Sequence, residues 1–193
     1  MNLLESVHRA ISVVRDGGLE GVLIGGLAVS ARAEPRFTRD ADLAVSVASD
    51  AQAEALLRAF MRSGYALQVV LEQSGVGRLS GARLIDPDGV EVDLLTASSG
   101  IEPEIVVDAD ELEIVRGFRV PVAATGHLIA LKLLSVSPGR ETDAMDLQAL
   151  SRVADEIEWA RAEVAVALIA QRGFHRGRDL AADLTVLRGR SVT

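Results

Sequence analysis

Cysteine is absent from the 193 residues, which excludes disulfides, thiolate metal sites and a cysteine nucleophile. Only oxygen ligands and three histidines remain for a metal, and His8, His127 and His175 are too scattered to suggest a histidine centre or a catalytic triad. Lysine is nearly absent too, Lys132 standing alone against nineteen arginines. No apolar run approaches the ~18 residues needed to span a bilayer. The N-terminus, MNLLESVHRAISVVRDGG, mixes acid and base within an amphipathic pattern and lacks the apolar stretch and small-residue cleavage site of a signal peptide. A cytoplasmic protein without membrane attachment is expected, and neither repeats nor a low-complexity linker break the chain.

Hydrophobic residues make up 49% and charged residues 25%, the composition of a chain that folds. The length suits one well-buried domain, or a domain with a helical appendage, and no independent second one. A net charge of -8 argues against broad, sequence-blind adhesion to nucleic acid, which depends on neutralising many phosphates. Charge is unevenly spread, however. Residues 102-113 hold six acids and no base, whereas 172-190 hold five arginines (Arg172, Arg176, Arg178, Arg188 and Arg190) against two aspartates.

Leu3, Leu4, Val7, Ile11 and Val14 recur at helical spacing before Gly17-Gly18. GVLI (21-24) is a short strand ending at Gly25-Gly26, and LAVSARA reads as a helix behind that turn. DADLAVSV (40-47) alternates with period two and is a strand. Ser49 can cap a helix running to about Arg62, and Gly64 ends it. RLSGARLI and VEVDLL flank the turn formers DPDG, so 78-95 reads as a hairpin, with a further strand pair around Gly117 at 111-122. From Thr125 the chain reads as helices at 125-136, about 141-154, 159-171 and 176-188. The fold class is therefore α/β of the α+β kind: a small mixed sheet with helices, then a helical C-terminal half.

Chemistry concentrates in GGLAVSARAEPRFTRDADLAV, residues 25-45. Asp40 and Asp42, two apart on a strand, project from one face with their alpha carbons roughly 6 to 7 Å apart. Such a pair either lines the wet face of an edge strand or brackets cations. Without metal the two repel and at least one should titrate high. With two Mg²⁺ ions about 3.5 to 4 Å apart they become a clamp for displacement at phosphorus, and Asp93 is placed to be a third all-oxygen ligand. Gly25 and Gly26 open a helix whose bare N-H groups suit phosphate oxygens, although a tight turn also needs glycine for steric reasons alone. Lys132 either supplies a compact ammonium to a triphosphate or snorkels from an apolar helix. Arg36 and Thr38 either touch nucleotide or brace the loop. Arg140, Asp143 and Asp146 fit a nucleotide contact and a structural ion-pair network equally well. Trp159 is expected to anchor core.

A strand ending in Gly25-Gly26, a helix, then Arg36-x-Thr38-x-Asp40-x-Asp42-Leu43 and a later apolar strand with Asp93 resembles the minimal nucleotidyltransferases of the DNA polymerase beta-like superfamily. The resemblance is particularly to the AbiEii/AbiGii-type, MenT-like toxins, over roughly residues 20-97. It continues more loosely through 125-150, where the family carries a lysine on an apolar helix followed by an Arg and Asp cluster, here Lys132, Arg140, Asp143 and Asp146. The resemblance implies a nucleotidyltransferase core at 1-124 and a packed helical region at 125-193. It implies transfer of an NMP from an NTP to a hydroxyl, with Asp40, Asp42 and Asp93 holding two Mg²⁺ (or Mn²⁺) ions and Asp93 as a general base. Gly25, Gly26 and Lys132 would steady the pyrophosphate, and Arg36, Thr38, Arg140 and Asp146 would lie at the nucleotide. It further implies an RNA acceptor, namely a tRNA 3' end that the C-terminal arginines could meet, and a cognate antitoxin. Related readings on the same fold are transfer to a protein partner, transfer to a small molecule such as an aminoglycoside, and a non-catalytic regulatory member.

Overall fold

The computed structural model describes residues 3-73, 76-137 and 141-191. The chain opens with helix α1 (Leu3–Asp16), which buries Val7, Ala10, Ile11 and Val14 along one face, a stripe at the helical period. Strand β1 (Gly21–Ile24) follows, buried at every position because it lies inside the sheet. It runs directly into helix α2 (Gly25–Arg32). Strand β2 (Asp40–Val45) returns antiparallel to β1, pairing Ile24 with Asp42. Helix α3 (Asp50–Arg62) is capped by Ser49, whose hydroxyl accepts the Gln52 amide, and Gly64 ends it with a positive φ.

Three strands then extend one side of the sheet. These are β3 (Ala66–Gln73), β4 (Arg78–Ile85) and β5 (Glu91–Leu95). Strand β5 pairs in parallel with β2, setting Asp42 beside Asp93, and antiparallel with β4, setting Arg83 beside Asp93. Helix α4 (Glu102–Val107) leads to the hairpin β6 (Asp110–Val115) and β7 (Phe118–Val122), and β7 joins β1 in parallel. The seven strands lie in the order β3-β4-β5-β2-β1-β7-β6. Helices α5 (Thr125–Ser135), α6 (Glu141–Val153), α7 (Glu156–Gln171) and α8 (Leu180–Ser191) complete the fold. One apolar cluster runs from Val7 of α1 through Leu43 and Leu94 to Ile169 and Leu184, and it contains Trp159.

The mixed α/β class holds, with differences in detail. Strand β3 has no counterpart in the sequence reading. It is an edge strand exposed along almost its whole length, so no burial forces a clean alternation, and bulges at Leu67/Val69 and Leu71/Glu72 break its register. Helix α4 was also not expected: six residues with Pro103 in the first turn are too few for a period to show. Helix α7 begins at Glu156 rather than at 159, because the Asp155 carboxylate caps it by accepting the Glu158 amide at 2.9 Å. Helix α8 begins at Leu180 rather than 176, since Arg176 and Gly177 both take positive φ.

Leu43 is fully buried on β2, directly after Asp42. Leu43→Ala should lower the unfolding free energy by about 3 kcal/mol, the usual cost of a buried leucine cavity, as measured by denaturant titration. Because Leu43 faces away from Asp42, the variant at permissive temperature should still bind nucleotide.

Candidate active site

Along β2 the burial alternates so that Ala41 and Leu43 enter the core while Asp40 and Asp42 stand on the other face. Strand β5 repeats this with Val92 and Leu94 inward and Asp93 outward. Parallel register then brings Asp42 and Asp93 side by side, with Asp40 one pleat away. The three carboxylates line a cleft of about 540 Å³ whose walls also carry Gly25, Gly26, Lys132 and Ser99.

Gly25 is the first residue of α2 and sits at φ +65°, a left-handed backbone that side chains rarely adopt. A Cβ there would also overlap the Asp42 carboxylate. The helix start therefore closes onto Asp42, and the Gly26 amide donates a hydrogen bond to it. A Cβ on Gly26 would strike the Arg36 guanidinium. Gly25 is thus required by its backbone and by its close approach to Asp42, and the helix start that carries both glycines lines the cleft.

Burial pushes the Asp42 carboxyl up to about 7, with further upward pressure from the charges of Asp40 and Asp93; Lys132 and the Gly26 amide pull it partly back. Thr38 donates its hydroxyl proton to Asp40. Asp93 is gripped by Arg83, whose Nε and Nη2 reach its two oxygens at 2.9 and 2.7 Å. The sequence reading did not single out Arg83. The signal was there, because a hairpin turning at DPDG sets Arg83 opposite Asp93.

Arg36 forks onto Asp146 at 2.6 and 2.9 Å. Lys132 reaches both Asp143 and Asp146 at 2.7 Å, and Ser135 donates to Asp143 at 3.2 Å. Two cations and two nearly buried carboxylates thereby join the loop after α2 to α5 and α6. The structure places Arg36 and Asp146 in this network. Lys132 belongs to it and also faces the cleft. Arg140 lies outside the described residues. Of the histidines, His127 is buried, and desolvation holds its pKa below the ordinary value.

The C-terminal arginines are employed internally. Arg172 forks onto Glu104 at 2.7 and 2.9 Å. Arg178 donates to the carbonyls of Leu133 and Val136 at 2.5 and 2.7 Å and to Asp183. Arg188 pairs with Glu156 and Glu163, and Arg176 bonds Ser98 beside the cleft. Arg172, Arg176, Arg178 and Arg188 of the basic segment thus all make contacts within the protein.

Whether these residues suit a metal follows from their partners. Asp40 and Asp42 form no ion pair within 4 Å among the described residues, and Asp42 is driven toward protonation first by burial and then by the charges of Asp40 and Asp93. Hard carboxylate oxygens in that condition suit Mg²⁺. The three do not converge on one point, and no preformed cluster of three acidic or histidine ligands occurs among the described residues. Asp40 and Asp42 therefore fit a cation as they stand, and Asp93 fits as one that shares its oxygens with Arg83.

The chain has the fold of the nucleotidyltransferases. Solved structures with the same fold include an antigenic nucleotidyltransferase-like protein from Paracoccidioides brasiliensis, with TM-score 0.51, 20% identity and coverage of 95% of this chain and 92% of that one. The antibiotic-resistance factor ANT(2'')-Ia superposes with TM-score 0.52 at 16% identity, over 97% of this chain and 89% of its own. No curated protein matches the sequence. The family model described as nucleotidyl transferase AbiEii toxin, type IV toxin-antitoxin system, matches residues 15-190, and the chain belongs to that family. Among the described residues no helix is long and apolar enough to cross a membrane.

The Asp42 carboxyl yields a pH signature. Its folded pKa lies above the unfolded value of 3.8, so its contribution to stability is complete below about pH 4 and is lost as pH rises through 7. Asp42→Asn has no such titration. In EDTA the variant should gain on the wild type from pH 5 to pH 8 by about 2 kcal/mol, roughly half of what such a shift carries in full, because the cleft is open to water. Urea unfolding at both pH values measures it, and parallel curves would mean that Asp42 titrates normally.

Proposed function

We propose that this protein transfers a nucleoside monophosphate from an NTP to a hydroxyl of an RNA acceptor, as with a tRNA 3' end, and acts as a toxin restrained by a cognate antitoxin. The observation that carries the reading is the cleft itself. Three carboxylates share one face, with a helix start and a lysine at its border. That is the charge layout for holding a triphosphate against an acidic floor, and the fold family performs this class of reaction.

The residues divide the work. Asp40, Asp42 and Asp93 would hold Mg²⁺, or Mn²⁺ in its place, which when bound neutralises charge on the phosphates and acidifies the attacking hydroxyl. The N-H groups at Gly25-Gly26 and the Lys132 ammonium hold the β- and γ-phosphates and the pyrophosphate they become. Asp93 takes the hydroxyl proton on an oxygen lone pair that Arg83 leaves free, and the Arg83 fork fixes the direction of that carboxylate. The acceptor oxygen forms a bond to the α-phosphorus as the bond to pyrophosphate breaks. Positioning and charge neutralisation supply most of the rate. Arg36 and Asp146 act at one remove, by holding the loop that carries Thr38 and by fixing Lys132.

The test is incubation with each labelled NTP, Mg²⁺ and a cell extract, followed by separation of RNA, protein and small molecules. Label should enter RNA, and Asp40→Asn or Asp42→Asn should each reduce transfer at least 10³-fold, with circular dichroism unchanged. Lys132→Ala should raise KM for NTP and lower kcat, since it loses a phosphate contact and leaves Asp143 and Asp146 without one partner. Label in a protein or an aminoglycoside would replace RNA as acceptor. Full activity in either aspartate variant would remove the metal assignment, and no label anywhere would leave a non-catalytic member of the family.

A further inference from the structure

The segment leading into β2 alternates sides. Arg36, Thr38 and Asp40 face the catalytic cleft, while Phe37 and Arg39 point into a second hollow of about 600 Å³ that also contacts Leu3, Val90 and Glu91. Thr38 and Asp40 line both spaces and form the wall between them.

Phe37 leaves 78% of its surface exposed, although burial of a phenyl ring is favoured over leaving it in water. Nor is its backbone loose. Arg36 is forked onto buried Asp146 and donates to the Phe37 carbonyl at 3.2 Å. The Arg36 amide donates to Ser30 at 3.1 Å, and Thr38 is bonded to Asp40. A pinned loop thus presents a bare ring to solvent. The Arg39 guanidinium lies over that ring, 5.4 Å from its centroid, and meets no carboxylate within 4 Å among the described residues. Arg172, Arg178 and Arg188 all have such partners.

We propose that Phe37 and Arg39 form the acceptor subsite, on which the terminal base of a single-stranded RNA end stacks while Arg39 meets its phosphate. Stacking on an aromatic side chain is how sequence-tolerant RNA contacts are made, because every base has a π-face. An unpaired guanidinium supplies the charge that the acidic remainder of the protein withholds. The location supplies the chemistry. The hollow of Phe37 and Arg39 shares the Thr38 and Asp40 wall with the cleft that holds Asp42, Asp93, the glycines and Lys132, so an acceptor end seated there adjoins the carboxylates. The inference rests on transfer to RNA as read above and assigns the residues that select the acceptor.

The full-length protein tests it with bulk tRNA as acceptor and with a fluorescent single-stranded RNA in an anisotropy titration. Phe37→Ala should raise KM for tRNA and Kd for the probe about tenfold, within the range for loss of one stacked base, while KM for NTP moves less than twofold. Phe37→Trp should restore both, which a merely structural role would not require. Arg39→Gln should weaken the probe and flatten the slope of log K against log salt by about 0.7, the value for one single-strand phosphate. Unaltered tRNA KM and probe affinity in Phe37→Ala, with the wild type labelling RNA, overturn the subsite and leave the transferase reading standing. If the wild type neither labels nor binds RNA, both fall. Should Phe37→Ala instead lose capture of a protein acceptor while RNA is ignored, the ring is a protein contact and the proposal fails.

Discussion

Mutual repulsion among three carboxylates is the constraint on which this molecule turns. Strand pleating sets Asp40 and Asp42 on one face, and parallel pairing adds Asp93 beside them. Hydrophobic burial on the opposite face of the same strands holds them there, since a slip of one residue would drive Leu43 and Leu94 out of the core and the acids into it. The core therefore stabilises a charge arrangement that would not persist on an isolated hairpin.

The surroundings answer that repulsion unevenly. Arg83 neutralises Asp93 through a bidentate contact, whereas Asp40 has a hydroxyl and Asp42 has a backbone amide. Uncompensated charge is left on the side toward the glycine turn. Lys132 is near enough to lower the Asp42 pKa, yet it is itself shared between Asp143 and Asp146. These two buried acids convert Lys132 from a flexible side chain into a fixed charge. Asp146 does the same for Arg36, and so for the loop whose other face displays Phe37. One ionic network orders both borders of the cleft.

Overall acidity and a nucleic-acid acceptor are compatible in such a design. Most arginines of the C-terminal helices staple α5, α7 and α8 to one another or to α4, so net charge says little about where a polyanion is received. On the proposed reading, reception rests on a local cation such as Arg39, which meets no carboxylate within 4 Å among the described residues.

How far the chain could be read without its structure varies by element. The alternation in DADLAV, the Ser49 cap and the DPDG turn each express a local rule, and each appears at its expected place. Strand β3 escaped because an edge strand exposed on both faces owes no pattern to burial, and α4 because six residues hold fewer than two turns. Within the site, the face shared by Asp40 and Asp42 was legible from their spacing. That Asp93 joins them was also expected, but the parallel register that sets it beside Asp42 is not a local pattern, since it arises where two strands about fifty residues apart meet. Arg36 and Asp146 are separated by 110 positions, and nothing local to either announces the other. Sequence by itself determined which chemistry the chain carries and on which side of each strand it stands, because pleat and helix periods are local. Tertiary structure alone decided which charges are paired and which are left open, because pairing depends on distances that only the packed core sets.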